Sequence, residues 1–225
     1  MADHQVVLAH RPVDLSLYLV TDRSLAEGRP LVDVVRRAVM GGVAIVQVRE
    51  KDASVREYLS ILRDVRAMLE PLNVPLFVND RVDVALATGA AGIHVGQQDM
   101  PCADVRRLVG PSCIIGVSVS TPQEAEQAQA DGADYLGISP VFATPTKTDT
   151  PDATGLEGLR AIRKATRLPL VAIGGIHVGN AARVVAAGAD GVAVVSAIMS
   201  APDPEGAAQA LRGEVERGRR GRRGH

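Results

Sequence analysis

The segment GADYLGI at residues 132–138 predicts the end of a helix followed by a buried strand, and close variants recur as GADGVAV at 188–194 and GAAGIHV at 89–95. Each copy follows an amphipathic stretch, and its first glycine can end a helix in the left-handed conformation without the cost of a Cβ atom. The small residues that follow let a helix and a strand pack closely. The repeat therefore predicts helix–strand units of a parallel sheet covered by helices.

The other apolar, β-branched segments extend this pattern along the chain. The predicted strands are 17–21, 43–48, 75–78, 92–95, 114–117, 135–138, 169–173 and 191–195. Amphipathic segments predicted as helices lie between them, at 31–40, 55–69, 101–109, 122–131 and 180–187. Eight strands with intervening helices fill the length without a long linker, which favours a closed barrel over an open doubly wound sheet.

We therefore predict an α/β protein with one domain, a (β/α)8 TIM barrel that forms the catalytic domain over residues 13–215. Residues 1–12 are expected to be a flexible amino terminus. Residues 216–225 contain the run RGRRGRRGH and are expected to be a disordered, solvated, Arg-rich tail. The alternative for this tail is an arm that binds nucleic acid.

The composition argues against several classes of partner. The formal net charge is −1, Trp is absent, and the chain has only 3 Tyr and 2 Phe, so a basic surface or an aromatic platform for bases is not expected. The 2 cysteines have no zinc-type spacing, and no apolar run reaches the length of a membrane span. With no signal peptide evident, we expect a cytoplasmic protein without nucleic-acid or membrane partners, and a homo-oligomer stays open.

Polar side chains follow the second predicted strand. Alternation along a strand places Gln47, Arg49 and Lys51 on one side, where they would face the mouth of the barrel. Three polar groups at such a place favour a site for an anionic ligand. The alternative is a solvated loop with a surface ion pair through Glu50.

Two carboxylates follow the next two strands, Asp80 after the third and Asp99 after the fourth. Carboxylates from adjacent strand ends can converge on one ion, and oxygen ligands beside a phosphate-bearing substrate suit Mg²⁺. The alternative for each is to cap the helix that follows it. His94, within the fourth strand, is interpreted as a hydrogen-bonded structural residue, and a catalytic role is the alternative.

Two further segments predict contacts with phosphate. The long loop after the sixth strand carries Thr144, Thr146 and Lys147, which can hold a phosphate and close over the site as a lid. A loop without function is the alternative. Gly174 and Gly175 follow the seventh strand, and Ser196 follows the eighth, where barrel enzymes commonly bind phosphate on backbone N–H groups.

Taken together, these segments resemble the thiamine-phosphate synthase family over nearly the whole chain. The phrases that carry the resemblance are LYLVTD, QVREKD, FVNDRVDVALATGAAGIHVGQQD, GVSVST, DYLGISPVFATPTKTD, AIGGI and GADGVAVVSAI. The family joins an aminopyrimidine methyl diphosphate to a thiazole phosphate, carried in as a carboxylate derivative, and releases diphosphate. The resemblance thus implies a transferase of the alkyl-transfer class in thiamine diphosphate biosynthesis (EC 2.5.1.3).

The family's residue roles can be carried over position by position. The resemblance implies that Mg²⁺ is the cofactor, with Asp80 and Asp99 as its ligands, and that the two phosphorylated compounds are the partners. Residues implied to bind the pyrimidine diphosphate are Gln47, Val48, Arg49, Glu50, Lys51, Asn79, Ser118 and Lys147. Residues implied to bind the thiazole phosphate are Thr144, Pro145, Thr146, Gly175, Val195 and Ser196. Arg49, Lys51, Ser118 and Lys147 are implied to be catalytic.

Three other functions stay open at this point. The thiazole tautomerase branch shares the barrel, but it transfers a proton and has no use for Arg49, Lys147 and a carboxylate pair. An aldolase would use Lys51 or Lys147 as a Schiff-base lysine, which needs an apolar pocket to lower its pKa. A phosphate-binding protein without catalysis would not need the carboxylate pair.

Overall fold

The structure is a computed structural model that describes residues 5–8, 11–143 and 153–223. A short antiparallel hairpin, β1 (Gln5–Leu8) and β2 (Arg11–Asp14), precedes a closed parallel barrel. The barrel strands are β3 (Leu17–Val20), β4 (Ile45–Val48), β5 (Leu76–Asn79), β6 (Gly92–Val95), β7 (Ile114–Val119), β8 (Tyr135–Ile138), β9 (Leu170–Ala172) and β10 (Gly191–Val194). The α-helices are α1 (Leu31–Met40), α2 (Val55–Leu69), α3 (Val82–Thr88), α4 (Cys102–Val109), α5 (Pro122–Ala130), α6 (Gly155–Ala165), α7 (Ala181–Ala186), α8 (Ser196–Met199) and α9 (Pro204–Arg223).

Each barrel strand pairs in parallel with its neighbours in sequence, and β10 pairs with β3 to close the ring. This confirms the predicted (β/α)8 barrel. The register brings the carboxyl ends of all eight strands to one face, because every strand runs in the same direction. Polar residues that follow different strands in the sequence are thereby gathered around one opening.

The helix-ending glycines behave as the repeat predicts. Gly89, Gly132 and Gly188 have φ angles of 60°, 89° and 127°, in the region that residues with a Cβ atom rarely adopt. Gly89 is the C-cap of α3, where its N–H donates to the Ala85 and Leu86 carbonyl oxygens. These turns fix where each following strand begins.

The barrel interior holds three of the chain's few aromatic rings. Tyr18, Phe77 and Tyr135 pack against one another, with ring centroids 5.7–6.2 Å apart. Glycine on a neighbouring strand makes room for them, since a Cβ atom at Gly116 would lie 2.2 Å from the Tyr135 ring and one at Gly92 would lie 2.6 Å from Phe77. The interior is thus a packed core that leaves space only at its carboxyl end.

The expected disordered tail is wrong, because α9 continues through Arg223. Arg219 donates a hydrogen bond to the Asp190 carbonyl oxygen, and Arg222 donates to the Asp190 carboxylate and the Ala189 carbonyl, each at 3.2 Å. Gly218 lets α9 approach α7 closely, since a Cβ atom there would lie 2.5 Å from the Ala182 carbonyl oxygen. As far as Arg223, the Arg- and Gly-rich run is therefore a helix end that packs on the barrel rather than a solvated arm.

The expected flexible amino terminus needs a similar correction, because residues 5–8 and 11–14 form the hairpin. Asp14 at its end makes a 2.9 Å ion pair with Arg212 of α9. The hairpin and the last helix are therefore joined to each other. Within the described residues, no helix is both long and apolar enough to cross a membrane.

Candidate active site

A cavity of about 350 Å³ opens at the carboxyl end of the barrel. Its lower wall is made by inward-facing strand residues, and its rim is made by the turns that follow the strands. The lining residues include Tyr18, Asp22, Gln47, Arg49, Asn79, His94, Ser118, Tyr135, Ser139, Gly174, Gly175, Ile176, His177, Val195 and Ser196. Seven of these residues were predicted from the sequence to be site residues, and the cavity brings them together: Gln47, Arg49, Asn79, Ser118, Gly175, Val195 and Ser196.

The segment 47–51 divides between two environments. Gln47 and Arg49 line the cavity, and the backbone N–H of Arg49 donates a 3.2 Å hydrogen bond to the Thr21 hydroxyl. Val48 points the other way, into the core between barrel and helices. Lys51 is exposed and does not line the cavity. The predicted alternation therefore holds for Gln47 and Arg49, which both line the cavity. Lys51, which was predicted to lie on the same side, lies beyond the rim.

Glu50 is turned away from the cavity and pairs with Arg23 at 2.8 Å. Its side chain is only 7% exposed, and Arg23 bonds Glu57 as well, at 2.9 Å. The ion pair considered as an alternative for this segment is therefore present. The Glu50 carboxylate is buried while the Arg23 side chain is exposed, and the pair coexists with a cavity-lining Arg49.

A continuous chain of hydrogen bonds crosses the floor of the cavity. The Gln47 amide donates to the Tyr18 hydroxyl at 2.7 Å, and the Tyr18 and Tyr135 hydroxyls lie 3.1 Å apart. His94 then joins Tyr135, 2.9 Å from its Nδ1, to Ser118, 2.9 Å from its Nε2. Burial raises the pKa of both tyrosines, so their hydroxyls remain neutral donors and acceptors.

The network shows where the structure places His94 and Ser118, two residues singled out in the sequence. Both ring nitrogens of His94 are hydrogen-bonded, which agrees with a satisfied histidine, and the ring also forms part of the cavity wall. Gly116 and Gly137 make room for the ring, since Cβ atoms there would lie 2.5 Å and 2.8 Å from it. Ser118 is held at the cavity by His94 and by its place near the end of β7.

Asp80 stands directly after β5 in an unusual backbone conformation. Its φ angle is 59°, a left-handed value that is uncommon outside glycine. Its N–H donates a 2.8 Å hydrogen bond to the His94 carbonyl oxygen on the neighbouring strand. The residue at the N-cap of α3 is Arg81, which makes no side-chain cap, so Asp80 stands one residue before the N-cap position.

Asp99 closes the turn after β6. One of its carboxylate oxygens accepts the Gly96 N–H at 2.8 Å, and its own N–H donates to the Gly96 carbonyl at 3.2 Å. Helix α4 begins after Pro101 with no side-chain cap, so Asp99 does not cap that helix either. The two carboxylates therefore follow adjacent, hydrogen-bonded strands.

The opposite side of the cavity is a backbone turn. Gly174 and Gly175 have φ angles of 99° and 62°, and Cβ atoms at these positions would lie 2.6 Å from Pro140 and 2.9 Å from the Ala143 carbonyl oxygen. Asn180 donates a 2.9 Å hydrogen bond to the Gly175 carbonyl and so fixes the turn. Ser196, the first residue of α8, lines the cavity on the same side, after the neighbouring strand β10.

Four predicted site residues, Thr144, Pro145, Thr146 and Lys147, lie outside the described residues. Their assignment therefore remains a prediction from the resemblance. The described part of this loop ends at Ala143, whose carbonyl oxygen faces Gly175.

Sequence reasoning missed several lining residues, notably Tyr18, Asp22, Tyr135 and His177. The signal for Tyr18 and Tyr135 was present, because they share the inward side of their strands with Val20 and Gly137. Asp22 and His177 lie in turns after strands, where alternation gives no direction. The Asp22 carboxylate is used locally, since it accepts the Ser24 N–H at 3.0 Å.

An all-parallel eight-stranded barrel whose strand ends surround a polar cavity is the arrangement of a (β/α)8-barrel enzyme. A family model described as thiamine monophosphate synthase matches residues 17–198, which span the barrel from β3 into α8. The chain belongs to the thiamine monophosphate synthase family. It is a transferase with the activity of a thiamine-phosphate synthase.

Individual relatives agree with this assignment. The chain is 56% identical over 207 residues to a thiamine-phosphate synthase of Albidiferax ferrireducens, covering 91% of this chain and 94% of that protein. It is 52% identical over 204 residues to a thiamine-phosphate synthase of Syntrophomonas wolfei, covering 91% and 98%. A solved thiamine phosphate pyrophosphorylase from Pyrococcus furiosus superposes with a TM-score of 0.83 at 43% identity, covering 91% of this chain and 96% of that one.

Proposed function

We propose that this cavity joins an aminopyrimidine methyl diphosphate to a thiazole phosphate and releases diphosphate, with Mg²⁺ held by Asp80 and Asp99. The observation that carries the proposal is the division of the cavity into two sides. Arg49 and Asn79 line it at the ends of β4 and β5, whereas the glycine turn and Ser196 line it after β9 and β10, across the barrel. Asp80 and Asp99 stand in the turns after β5 and β6, on the Arg49 side, and are not among the residues that line the cavity. One side suits a metal-bound diphosphate, and the other suits a simple phosphate.

The donor set fits Mg²⁺. Asp80 and Asp99 supply hard oxygen ligands, and no group of three or more His, Cys, Asp or Glu residues that could hold a metal occurs in the described ranges. A site built on two carboxylates, such as Asp80 and Asp99, leaves the remaining ligand positions to substrate phosphates and water, which is the usual arrangement for Mg²⁺ at a phosphate-bearing substrate. When bound, Mg²⁺ would supply positive charge beside the diphosphate.

The reaction needs charge stabilisation and positioning. The bond between the pyrimidine methylene carbon and the diphosphate oxygen breaks, and its electron pair leaves with the diphosphate. Arg49, at the cavity wall, and Lys147, by the resemblance, stabilise that negative charge. The aminopyrimidine ring bears the positive charge left on the methylene, and the thiazole nitrogen lone pair then forms the new carbon–nitrogen bond.

The protein orients both reactants for this step. Ser118 is fixed by the 2.9 Å bond to His94 and would contact the pyrimidine substrate from β7. The turn at Gly174 and Gly175, together with Val195 and Ser196, would hold the thiazole phosphate on backbone N–H groups and a hydroxyl. The predicted contacts of Thr144, Pro145 and Thr146 with the thiazole partner complete this side.

No protein nucleophile is required, which separates this function from an aldolase. A Schiff-base lysine needs an apolar pocket, but Lys51 is exposed and lies beyond the cavity lining. The tautomerase alternative is disfavoured because the chain retains Arg49 and both carboxylates. The balanced charge and scarce aromatic residues further support a cytoplasmic enzyme whose partners are these small molecules rather than nucleic acid or membrane.

The test is direct synthesis. Purified protein is incubated with both substrates and Mg²⁺, and thiamine phosphate is measured by mass spectrometry together with released diphosphate. We expect equal amounts of the two products and none when either substrate is omitted. Thiamine phosphate at the level of a protein-free control would refute the proposal.

A further inference from the structure

Tyr58 lies on the outside of the barrel, yet its hydroxyl reaches the two strand ends that carry the proposed diphosphate site. The residue belongs to α2 and is 1% exposed. Its hydroxyl donates a 2.7 Å hydrogen bond to the Val48 carbonyl at the end of β4. The Asn79 N–H, at the end of β5, donates to the same hydroxyl at 3.3 Å.

These two backbone groups are partners in the ladder. The Val46 N–H donates to the Pro75 carbonyl oxygen, and Val48 pairs with Val78. In a regular parallel ladder that continues this pattern, the Asn79 N–H would donate a hydrogen bond to the Val48 carbonyl oxygen. The Tyr58 hydroxyl therefore contacts the two backbone groups that a regular ladder would pair at the ends of β4 and β5.

The residues that follow this pair are site residues. Arg49 comes directly after Val48 and lines the cavity, and Asp80 comes directly after Asn79 with its φ angle of 59°. A group that fixes the peptide planes of Val48 and Asn79 also fixes the directions in which the chain continues to Arg49 and Asp80. Burial raises the pKa of Tyr58, so the hydroxyl keeps the proton that it donates to Val48.

We infer that Tyr58 is a positioning residue, whose hydroxyl sets the relative placement of Arg49 and Asp80 and thereby the affinity of the site for diphosphate. The inference rests on the proposed function, which gives Arg49 and Asp80 a common ligand. Tyr58 itself touches no substrate, since the barrel wall separates it from the cavity. Its effect on the reaction passes through the two strand ends.

The test uses Tyr58→Phe, which removes the hydroxyl and keeps the ring packed in the core. Binding of inorganic diphosphate with Mg²⁺ is measured by isothermal titration calorimetry on the full chain, without turnover. We expect affinity to fall about tenfold, because one misplaced charged contact in a preorganised site commonly costs a factor of that order. The KM for the pyrimidine diphosphate should rise, whereas the KM for the thiazole phosphate should stay within about twofold, since its site follows β9 and β10.

The matched control is Thr88→Val, which also removes one buried hydroxyl. The Thr88 hydroxyl donates to the Val84 carbonyl at 2.8 Å within α3, away from the cavity. This variant should lose stability but bind diphosphate normally. An equal loss of diphosphate affinity in both variants would show a general loosening and overturn the inference.

A double-mutant cycle supplies a readout that a purely structural role would not change. If Tyr58 acts through Arg49, then Tyr58→Phe should weaken diphosphate binding less in an Arg49→Ala background than in the unaltered chain. Unchanged diphosphate affinity in a folded Tyr58→Phe protein, or fully additive effects with Arg49→Ala, would refute the positioning role. An unaltered chain that binds no diphosphate would instead refute the proposed function, and the inference with it.

Discussion

The backbone N–H of Asp80 donates a 2.8 Å hydrogen bond to the carbonyl oxygen of His94. This bond ties the turn after β5 to the strand that leads to Asp99, so the two carboxylates are carried by one hydrogen-bonded unit. It also accounts for the left-handed conformation of Asp80, because the chain must turn sharply while its N–H remains in the ladder. A strained conformation kept in this way is typical of residues under functional constraint.

Replacing either carboxylate with its amide should therefore disable the enzyme. Asp80→Asn and Asp99→Asn should each lower kcat by about 100-fold or more, as expected for the loss of roughly 3 kcal/mol of charge stabilisation. Chelation of divalent ions should abolish turnover, and added Mg²⁺ should restore it. Steady-state kinetics over a range of Mg²⁺ concentrations provides the measurement.

The matched controls are Asp83→Asn and Asp104→Asn. Both residues are acidic, lie a few positions after the carboxylates in question, and pair at the surface with Arg81 and Arg107. Their variants should keep nearly full activity, because surface ion pairs contribute little. Full turnover in excess chelator would contradict the metal prediction.

Lys147 is predicted to act on the diphosphate as a charge and never to form an imine. Lys147→Arg should keep measurable activity, whereas Lys147→Ala should lose most of it. The surface residue Lys164, in the last turn of α6, supplies the control, since Lys164→Ala should be neutral. Borohydride treatment with substrate, followed by intact-mass measurement, should show no adduct, and an adduct at Lys147 would favour an aldolase.

Gly175 should be needed for the thiazole phosphate. In Gly175→Ala the new Cβ atom would lie 2.9 Å from both the Ala143 carbonyl oxygen and the Phe142 Cβ, at a φ angle of 62°. The turn must shift, so the KM for the thiazole phosphate should rise about tenfold, while the KM for the pyrimidine diphosphate changes little. Ser196→Ala should cost less, because its backbone N–H is kept.

The control variant Gly110→Ala tests whether backbone strain alone could cause the KM change expected for Gly175→Ala. Gly110 also has a positive φ angle, 70°, but a Cβ atom there meets nothing within 4 Å. Both variants should be less stable by circular dichroism melting, and only Gly175→Ala should change a KM. A selective rise in the KM for the pyrimidine diphosphate in Gly175→Ala would mean that the two anion sites are assigned in reverse.

The ion pair between Asp14 and Arg212 should make stability depend on pH. Burial acts to raise the pKa of Asp14, but the hydrogen bonds from Ser16 and the charge of Arg212 together hold it below its ordinary value. Asp14→Asn should therefore lower the free energy of unfolding by about 1–2 kcal/mol at pH 7. Since the pKa is lowered by folding, this contribution is present above the unfolded pKa and is lost as the pH falls through the folded one.

Urea unfolding of both proteins at pH 7 and pH 3 checks this prediction. The difference between them should shrink at pH 3, because this pH lies below the ordinary pKa of an aspartate, 3.8, and protonation of the unfolded chain offsets part of the contribution. Asp64→Asn, at an exposed position of α2, should stay within about 0.5 kcal/mol of the unaltered chain at pH 7. A difference that is equal at both pH values would rule out the linkage to Asp14.

The barrel could be predicted because its local signals agree with its global architecture. The glycine at the start of each GA-rich repeat needs a left-handed turn, and the apolar segment after it needs burial, whatever lies elsewhere in the chain. The predicted strands differ from the observed ones by two residues or fewer at each end; for example, the segment 43–48 is observed as Ile45–Val48. Such local signals place residues on a strand or in a turn.

They do not say how groups from distant strands meet. The chain of hydrogen bonds from Gln47 to Ser118 joins five strands, and each link depends on register that no single segment contains. The position of Glu50 depends equally on a partner, Arg23, supplied by another turn. The prediction of a disordered tail is wrong for the same reason. Arg219 and Arg222 are stabilised by Asp190, which lies in the turn before β10.

The last helix has a practical consequence for anyone who handles this protein. Asp190, which Arg219 and Arg222 bind, comes directly before β10, so α9 finishes beside the amino end of the barrel. The cavity opens at the other end. An attachment beyond Arg223 would thus lie at the end of the barrel opposite the cavity and would leave the cavity entrance clear. The attachment could be a solid support, an affinity handle or a second enzyme. The chain is therefore suited to immobilised synthesis or to fusion with the enzymes that make its substrates.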